Sequence, residues 1–183
     1  ISCAQHWREQ YPQVTILGIH DIPDTATSCG ADPVIIELPE LRIAVLNYTY
    51  GTNGIAIPKG KEYCINLIDK DLIKKQLESA KAQNPDVICV SMHWGIEYKL
   101  QPNTEQTDLA DYLFENGADI ILGSHPHVLE PMEKRTVTLS DGTKKDGFVI
   151  YSLGNFISAQ KDKYTKDSII LNLKITKHSQ GNI

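Results

Sequence analysis

Two histidines separated by one proline, His125 and His127, follow an apolar run in the stretch GADIILGSHPHV. Proline fixes its own φ at about −65° and favours an extended conformation for the residue before it. We therefore expect both rings to point to the same side of the chain. Since neutral imidazole is the commonest metal ligand in proteins, the pair predicts half of a metal site. A solvated polar loop is the alternative.

A third histidine, His93, ends the apolar run VICVSM and precedes Trp94 and Gly95. In sheets built from βαβ units, ligands gather beyond the carboxyl ends of the strands, so we expect His93 to share one rim with His125. Three imidazoles at one rim favour a metal site over a core histidine bonded to a backbone carbonyl. Glu97 is then a candidate general base, a group that orients a ligand, or a solvated carboxylate.

Asn155 lies in the stretch YSLGNF, where a predicted strand runs into a loop. Its amide could face a metal or a phosphate, although Gly-Asn is also ordinary turn chemistry. The stretch NYTYGTNG, residues 47–54, is a similar exit at a possible edge of the site.

Other candidate ligands carry weaker signals. Asp21 and Asp24 follow a predicted strand in GIHDIPD and could contribute together with His20, but a turn with side-chain-to-backbone hydrogen bonds explains them better. His6 and His178 lie in terminal segments and are interpreted as bystanders. A hydrolytic two-metal site usually needs a bridging carboxylate, and no carboxylate here is tied by spacing to the histidines.

The elements that must position these residues are predicted from periodicity. The early β-rich runs are VTILGI (14–19), VIIEL (34–38) and RIAVLNY (42–48). A helix fits Asp71 to Gln83, with Asp69 or Asp71 as the cap and Asn84-Pro85 as the stop. The strand DVICVSMH follows it.

The same pattern occurs a second time. Asn103 or Thr104 caps a helix that Asn116-Gly117 ends, and ADIILGSH is another buried strand, which indicates βαβ units and a mainly parallel sheet. The later stretch KRTVTLSDGTKKDGFVIYSL predicts a hairpin, and SIILNLKIT (168–176) predicts a last strand. One α/β domain over residues 1–183 is the prediction.

Composition excludes several classes of protein. The 183 residues carry a formal net charge of −5, which argues against a nucleic-acid binder. No apolar run is long enough for a membrane span. The four cysteines show no zinc-finger spacing; Cys89 is predicted to be a core residue, and a Cys3–Cys29 disulfide stays open. The chain begins without Met or a signal peptide, so we expect a piece of a longer protein.

Four stretches together, in order between Val14 and Ile157, resemble the CapA family of poly-γ-glutamate capsule biosynthesis proteins. They are LNYTYGTNG, SMHWGIEY, GADIILGSHPHVLEP and VIYSLGNFIS. The resemblance implies a domain similar to calcineurin-like metallophosphoesterases, which is a layered αββα sandwich with mixed sheets.

By this resemblance, His93 looks like a late histidine ligand, and His125 and His127 look like the histidines of the terminal GHxH motif. Ser124 replaces the glycine directly before the first histidine, and Gly123 lies one residue earlier. Glu97 and Asn155 are the expected catalytic neighbours. The early Asp-containing and Asn-His motifs of the family should lie before Ile1, so the expected divalent metals (Mn, Fe or Zn) need ligands from that missing N-terminal part, and this fragment alone should be inactive.

The function that the resemblance implies is capsule polymer biosynthesis or export with a metal-dependent, phosphoesterase-like hydrolase domain. A non-catalytic subunit that binds or assembles polymer on the same fold is the alternative. The expected substrate is an anionic polymer or a small phosphoester, and other capsule-synthesis membrane proteins are possible partners. The expected location is the cell surface, or an extracytoplasmic position with a membrane anchor.

Overall fold

The computed structural model of the chain describes residues 33–57, 59–60, 62, 65–139 and 142–177. Within these ranges the chain forms two helices and six strands. They are β1 (Val34–Glu37), β2 (Arg42–Thr49), α1 (Lys70–Ala82), β3 (Val87–His93), α2 (Thr104–Glu115), β4 (Ile120–Ser124), β5 (Met132–Thr138) and β6 (Lys144–Ile150).

The strands form one mixed sheet with the order β1-β2-β3-β4-β6-β5. The four central strands, β2, β3, β4 and β6, are parallel to one another, whereas β1 pairs antiparallel with β2 at one edge and β5 pairs antiparallel with β6 at the other. Helix α1 connects β2 to β3 and α2 connects β3 to β4, because a parallel pair needs a crossover rather than a hairpin. The carboxyl ends of β3 and β4 therefore meet at one rim, where His93 is paired in register with Ser124.

The two faces of the sheet are covered differently. One face carries a row of buried apolar side chains, and α1 and α2 contribute to the same core through Ile73, Leu77, Leu113 and Phe114. On the opposite face the side chains of Cys89, Leu122 and most of their neighbours are only half-buried. Since successive strand residues alternate between faces, His93 and Ser124 belong to this second face.

Both helices begin at caps that the sequence predicts. The Asp69 side chain accepts a hydrogen bond from the backbone N–H of Leu72 at 2.8 Å, and Asn103 accepts one from that of Gln106, also at 2.8 Å. The Gln106 side chain in turn accepts from the N–H of Asn103 at 3.0 Å, which completes a capping box. The position of α2 against the rim is thereby defined at its first turn.

The α/β class with a mixed sheet, the two helices and the hairpin of β5 and β6 are confirmed. The predicted strand at 168–176 is wrong: this segment has no strand, and only Ser168 forms an isolated bridge with Gly154. The run is apolar enough for a strand, but within the part of the chain that the structure describes no strand pairs along its length. Among the described residues there is one sheet, so a second sheet of the predicted sandwich is not found there.

Several predictions fall on residues outside the described ranges. They are the strand at 14–19, the possible Cys3–Cys29 disulfide, and the roles of His6, His20, Asp21, Asp24 and His178. Neither described helix is long and apolar enough to traverse a lipid bilayer.

Candidate functional site

The exit of β3 is held by its neighbours on both sides. His93 is the last residue of the strand, and the indole Nε1 of the buried Trp94 donates a hydrogen bond to the carbonyl oxygen of Tyr151 at 2.9 Å. Gly95 then adopts φ +85°, and a Cβ there would meet the side-chain amide of Gln106 at 2.7–2.8 Å. Glycine is therefore needed at this position both for its backbone conformation and for the close approach of α2.

The exit of β4 depends on another close approach. Gly123 lies under the backbone of Tyr151, and a Cβ at this position would overlap the Tyr151 carbonyl oxygen and meet Trp94 Nε1 at 2.7 Å. This explains why position 123 is glycine. The missing side chain makes room for the hydrogen bond that ties the β3 exit to the β6 exit.

The His-Pro-His turn is not extended, and this prediction from the proline was wrong. His125 adopts φ +103° and His127 adopts φ +61°, both in the region that L-residues rarely occupy. The physical reason is the sharp change of direction after β4, which an extended backbone would not make. The local preference set by Pro126 is therefore overridden by the tertiary structure.

The three predicted histidines lie together at the rim. The ring centroids of His93 and His125 are 4.8 Å apart, and those of His125 and His127 are 6.1 Å apart. The Tyr50 ring packs against this row, 5.8 Å from the His93 ring and 4.5 Å from the His125 ring. An aromatic wall on one side restricts the orientations that the imidazoles can adopt.

His93 has a hydrogen-bond partner that orients its ring. Its Nδ1 lies 3.3 Å from the Ser124 hydroxyl, which also lies 3.3 Å from the carbonyl oxygen of Met92. The hydroxyl has one proton and the carbonyl can only accept, so both contacts are satisfied together when His93 Nδ1 donates to Ser124. In that arrangement the lone pair of the neutral ring is on Nε2.

His127 is contacted on three sides. Its Nδ1 lies 2.8 Å from Asn155 Oδ1, and its Nε2 lies 3.8 Å from a carboxylate oxygen of Glu97. The Tyr98 ring stacks on the imidazole with centroids 6.0 Å apart. Glu97 and Asn155, the two predicted catalytic residues, therefore both lie against His127 and not between His93 and His125.

Burial keeps two of the rings neutral. It lowers the pKa of His93 below its ordinary value of 6.5, and the nearby His127 lowers it further. Burial also lowers the pKa of His125, as does His93, while Glu97 acts in the opposite direction. Because metals and hydrogen-bond donors bind neutral imidazole, a lowered pKa keeps these rings ready to bind at neutral pH.

The described side chains alone do not complete a metal site. Over the described ranges, no group of three or more His, Cys, Asp or Glu residues is arranged to hold an ion. The imidazoles fit a metal in chemistry and proximity, and a carboxylate, that of Glu97, lies 3.8 Å from His127 Nε2.

Sequence reasoning missed the residues that support the histidines. Tyr50 lies in the stretch 47–54 that the sequence marks as a site edge, and Tyr98 ends the stretch SMHWGIEY, although no role was predicted for it. Gln160 carried no signal, because it contacts Tyr98 across a long separation in sequence. Cys89 is half-buried on the second face, and burial together with the charge of Asp119 raises the pKa of its thiol to about 11. Its thiol therefore stays protonated at neutral pH and makes a poor nucleophile.

Comparison with known proteins gives a consistent family match. A family described as "Bacterial capsule synthesis protein PGA_cap" matches residues 22–160. The chain is 35% identical over 134 residues to "Capsule biosynthesis protein CapA" of Bacillus anthracis, covering 72% of this chain and 30% of that protein. It is 37% identical over 113 residues to "PGA biosynthesis protein CapA" of Bacillus subtilis (strain 168), covering 62% of this chain and 27% of that protein. The chain thus spans about three tenths of the length of these relatives.

A solved structure of the sulfate thiohydrolase SoxB of Thermus thermophilus, in complex with glycerol, is also similar. It shares 19% identity, with 66% of this chain and 19% of that chain covered, and the TM-score is 0.39. A TM-score of this size is too low to assign details of a site.

Proposed function

This chain belongs to the bacterial capsule synthesis protein PGA_cap family, and on that premise we propose that the protein makes or exports poly-γ-glutamate capsule polymer. In this proposal the domain is a metal-dependent, phosphoesterase-like hydrolase. The observation that supports it most directly is the row of three imidazoles at one rim, His93, His125 and His127, with centroid separations of 4.8 and 6.1 Å. The names of the Bacillus relatives support the capsule role.

The proposed ligands are His93, His125 and His127, joined by further ligands from outside the described residues. Mn, Fe and Zn are the candidate ions, and such an ion, when bound, polarises a substrate oxygen and activates a water. The chain's own contribution is to present neutral imidazoles against the Tyr50 wall, with the pKa values of His93 and His125 lowered by burial.

Glu97 is the proposed proton acceptor. Its carboxylate lies at the edge of the site, 3.8 Å from His127 Nε2, and its side chain is half-exposed. A carboxylate in this position can accept a proton from a water or a substrate group and release it to solvent. The anionic polymer, or a small phosphoester, is the proposed substrate.

A binding role without catalysis is the second candidate. In this role the rim, with the half-exposed Tyr50 and Tyr98, contacts polymer without cleaving it. A place at the cell surface, with other capsule-synthesis membrane proteins as partners, is common to both candidates.

The deciding experiment measures metal binding and hydrolysis with the full-length protein. Generic phosphodiesters and γ-linked glutamate oligomers are compared as substrates, before and after His125→Ala. We expect His125→Ala to lower metal affinity and turnover by about 100-fold or more, since loss of a residue that merely supports a ligand already costs about 10–100-fold. His178→Ala, which replaces a histidine near the end of the given sequence, is the matched control.

Each other outcome has a definite meaning. Intact metal binding with turnover of neither substrate class supports the binding role. Activity unchanged by His125→Ala overturns the proposed ligand set.

A further inference from the structure

We infer that Asn155 is a positioning residue that holds neutral His127 as the Nδ1–H tautomer and leaves Nε2 without a proton. This assigns Asn155 a role through His127, instead of direct contact with a metal or a substrate. The tautomer follows from hydrogen bonds of the chain itself, and only its consequence for ligand binding rests on the proposed function.

The orientation of the Asn155 amide is determined by its neighbours. The amide Nδ2 lies 3.2 Å from the backbone carbonyl oxygen of Thr165 and 2.8 Å from Oε1 of Gln160. A backbone carbonyl oxygen can only accept, so the NH₂ group must be on that side of Asn155. The opposite assignment of the amide would place two acceptors 3.2 Å apart. Oδ1 is therefore the atom that faces His127.

The tautomer of His127 follows from this orientation. Asn155 Oδ1 lies 2.8 Å from His127 Nδ1, and an amide oxygen cannot donate. The hydrogen bond exists only if Nδ1 carries the proton. In the neutral ring the lone pair is then on Nε2, which is the nitrogen on the side of Glu97.

A set of connected contacts holds the side chains of Asn155 and His127 in position relative to each other. Gln160 Nε2 donates to the Tyr98 hydroxyl at 3.3 Å, and the Tyr98 ring stacks on His127. The backbone N–H of Tyr98 donates to the carbonyl oxygen of Pro126 at 2.8 Å. The loop after β3, the His-Pro-His turn and the segment after Gly154 are thus connected around one imidazole.

The segment that follows Asn155 is built to hold its amide. Thr165 is buried at 1% exposure, and its hydroxyl donates to the carbonyl oxygen of Asp162 at 2.7 Å. A bridge between Gly154 and Ser168 returns the chain to its starting point. The segment has neither helix nor strand between these residues, yet it places two acceptors around one amide group. The segment therefore orients the Asn155 amide in addition to connecting its neighbouring elements.

The consequence concerns how His127 meets a ligand. A ring whose Nδ1 is bonded to an oxygen acceptor presents its Nε2 lone pair in a defined direction, as partners of metal-binding histidines generally do. The other tautomer would present an N–H instead and repel a cation. Loss of the Asn155 acceptor should lower metal affinity by about 10–100-fold.

The test reads the tautomer directly. Full-length protein labelled with ¹⁵N is studied without metal at pH about 8, where histidine is largely neutral, and two-bond ¹H–¹⁵N correlations report which ring nitrogen carries the proton. His127 signals are assigned by their loss in His127→Gln. We expect Nδ1–H for the wild type, a mixture of tautomers for Asn155→Ala, and Nδ1–H again for Asn155→Asp, which keeps an acceptor oxygen.

The outcomes separate this inference from the proposed function. Nε2–H in the wild type, or an unchanged pure Nδ1–H in folded Asn155→Ala, overturns the inference. If Asn155→Ala fails to fold, the wild-type spectrum alone still decides the tautomer. If the tautomer is Nδ1–H but no metal binds, the proposed function fails while the positioning role stands.

Discussion

The exits of β3 and β4 lie side by side at the same rim, yet they turn in different ways. After β3, His93 stays in the strand, and the left-handed conformation falls first on Gly95, with φ +85°, and then on Tyr98, with φ +64°. After β4, the left-handed conformation falls on the histidines, with φ +103° at His125 and +61° at His127. Glycine adopts such angles without strain, whereas other residues lose about 1–3 kcal/mol each.

The difference identifies the β4 exit as the more specialised of the two. A turn that served only to connect β4 to the next segment would carry glycine or asparagine at its left-handed positions. Histidine at both positions means that the rings are needed there despite the strain. The surrounding contacts to Tyr50, Tyr98 and Asn155 are what hold the strained backbone in place.

The largest expected effect comes from the glycine that joins the two exits. Gly123→Ala would force a Cβ into the carbonyl oxygen of Tyr151, which also accepts the Trp94 indole. Because the obstacle is backbone, we expect a loss of about 3 kcal/mol or more in the free energy of unfolding, at or beyond the upper end for overpacking. Urea unfolding measures it.

Gly51→Ala is the matched control for this substitution. A Cβ at Gly51 meets nothing within 4 Å, and its φ is not in the left-handed region. Its unfolding midpoint should stay close to that of the wild type. Equal midpoints for the two alanine variants would show that the close approach at Gly123 does not exist.

Paired substitutions at the two exits test whether His125 carries left-handed backbone strain and His93 does not. At the β4 exit, His125→Gly should be more stable than His125→Ala by about 1–2 kcal/mol, because glycine relieves the left-handed strain that alanine keeps. At the β3 exit the order should reverse, with His93→Gly less stable than His93→Ala by about 0.5–1 kcal/mol, since glycine weakens a strand. Each pair removes the same ring, so unfolding midpoints compare backbone effects alone.

If glycine were more stable than alanine at both positions, or less stable at both, the proposed difference between the two exits would be wrong. In particular, an alanine preference at position 125 would mean that the backbone there is not left-handed in solution.

The smallest expected effect is on the pH dependence of stability. The folded pKa values of His93 and His125 lie below 6.5, so the unfolded chain binds protons first as the pH falls. The metal-free protein should therefore lose stability as the pH drops below about 6.5, and the loss should end once the folded pKa values are passed. Unfolding midpoints between pH about 7.5 and about 5, with a chelator present, measure this slope.

Replacing His93 by Gln should make the slope shallower. A slope that stays unchanged in this variant would mean that other groups produce it.

Local structure was largely predictable because its causes are local. Asp69 and Asn103 cap their helices through contacts three residues away, and the apolar runs in RIAVLNY and VICVSM define strands. The apolar run at 168–176 shows the limit of this reasoning, since a strand also needs a neighbouring strand, and pairing is a property of the fold.

The site was predictable only in part, for the same reason. The residue types and the strand ends selected His93, His125 and His127, because parallel strands bring their carboxyl ends to one rim. The partners of these rings were not predictable: Asn155 reaches His127 from 28 positions away, and Tyr98 meets Gln160 across 62. No local pattern encodes such pairs.

The two helices, the six strands, the family and the choice of His93, His125 and His127 could be predicted from the sequence, since each depends on short-range periodicity or on a motif. Only the tertiary structure decided that the His-Pro-His turn is left-handed, that Gly123 must stay without a side chain, and which nitrogen of His127 is free. Those features arise where segments distant in sequence pack against one another. Such contacts cannot be predicted from any single stretch of the chain, because both partners are needed to form them.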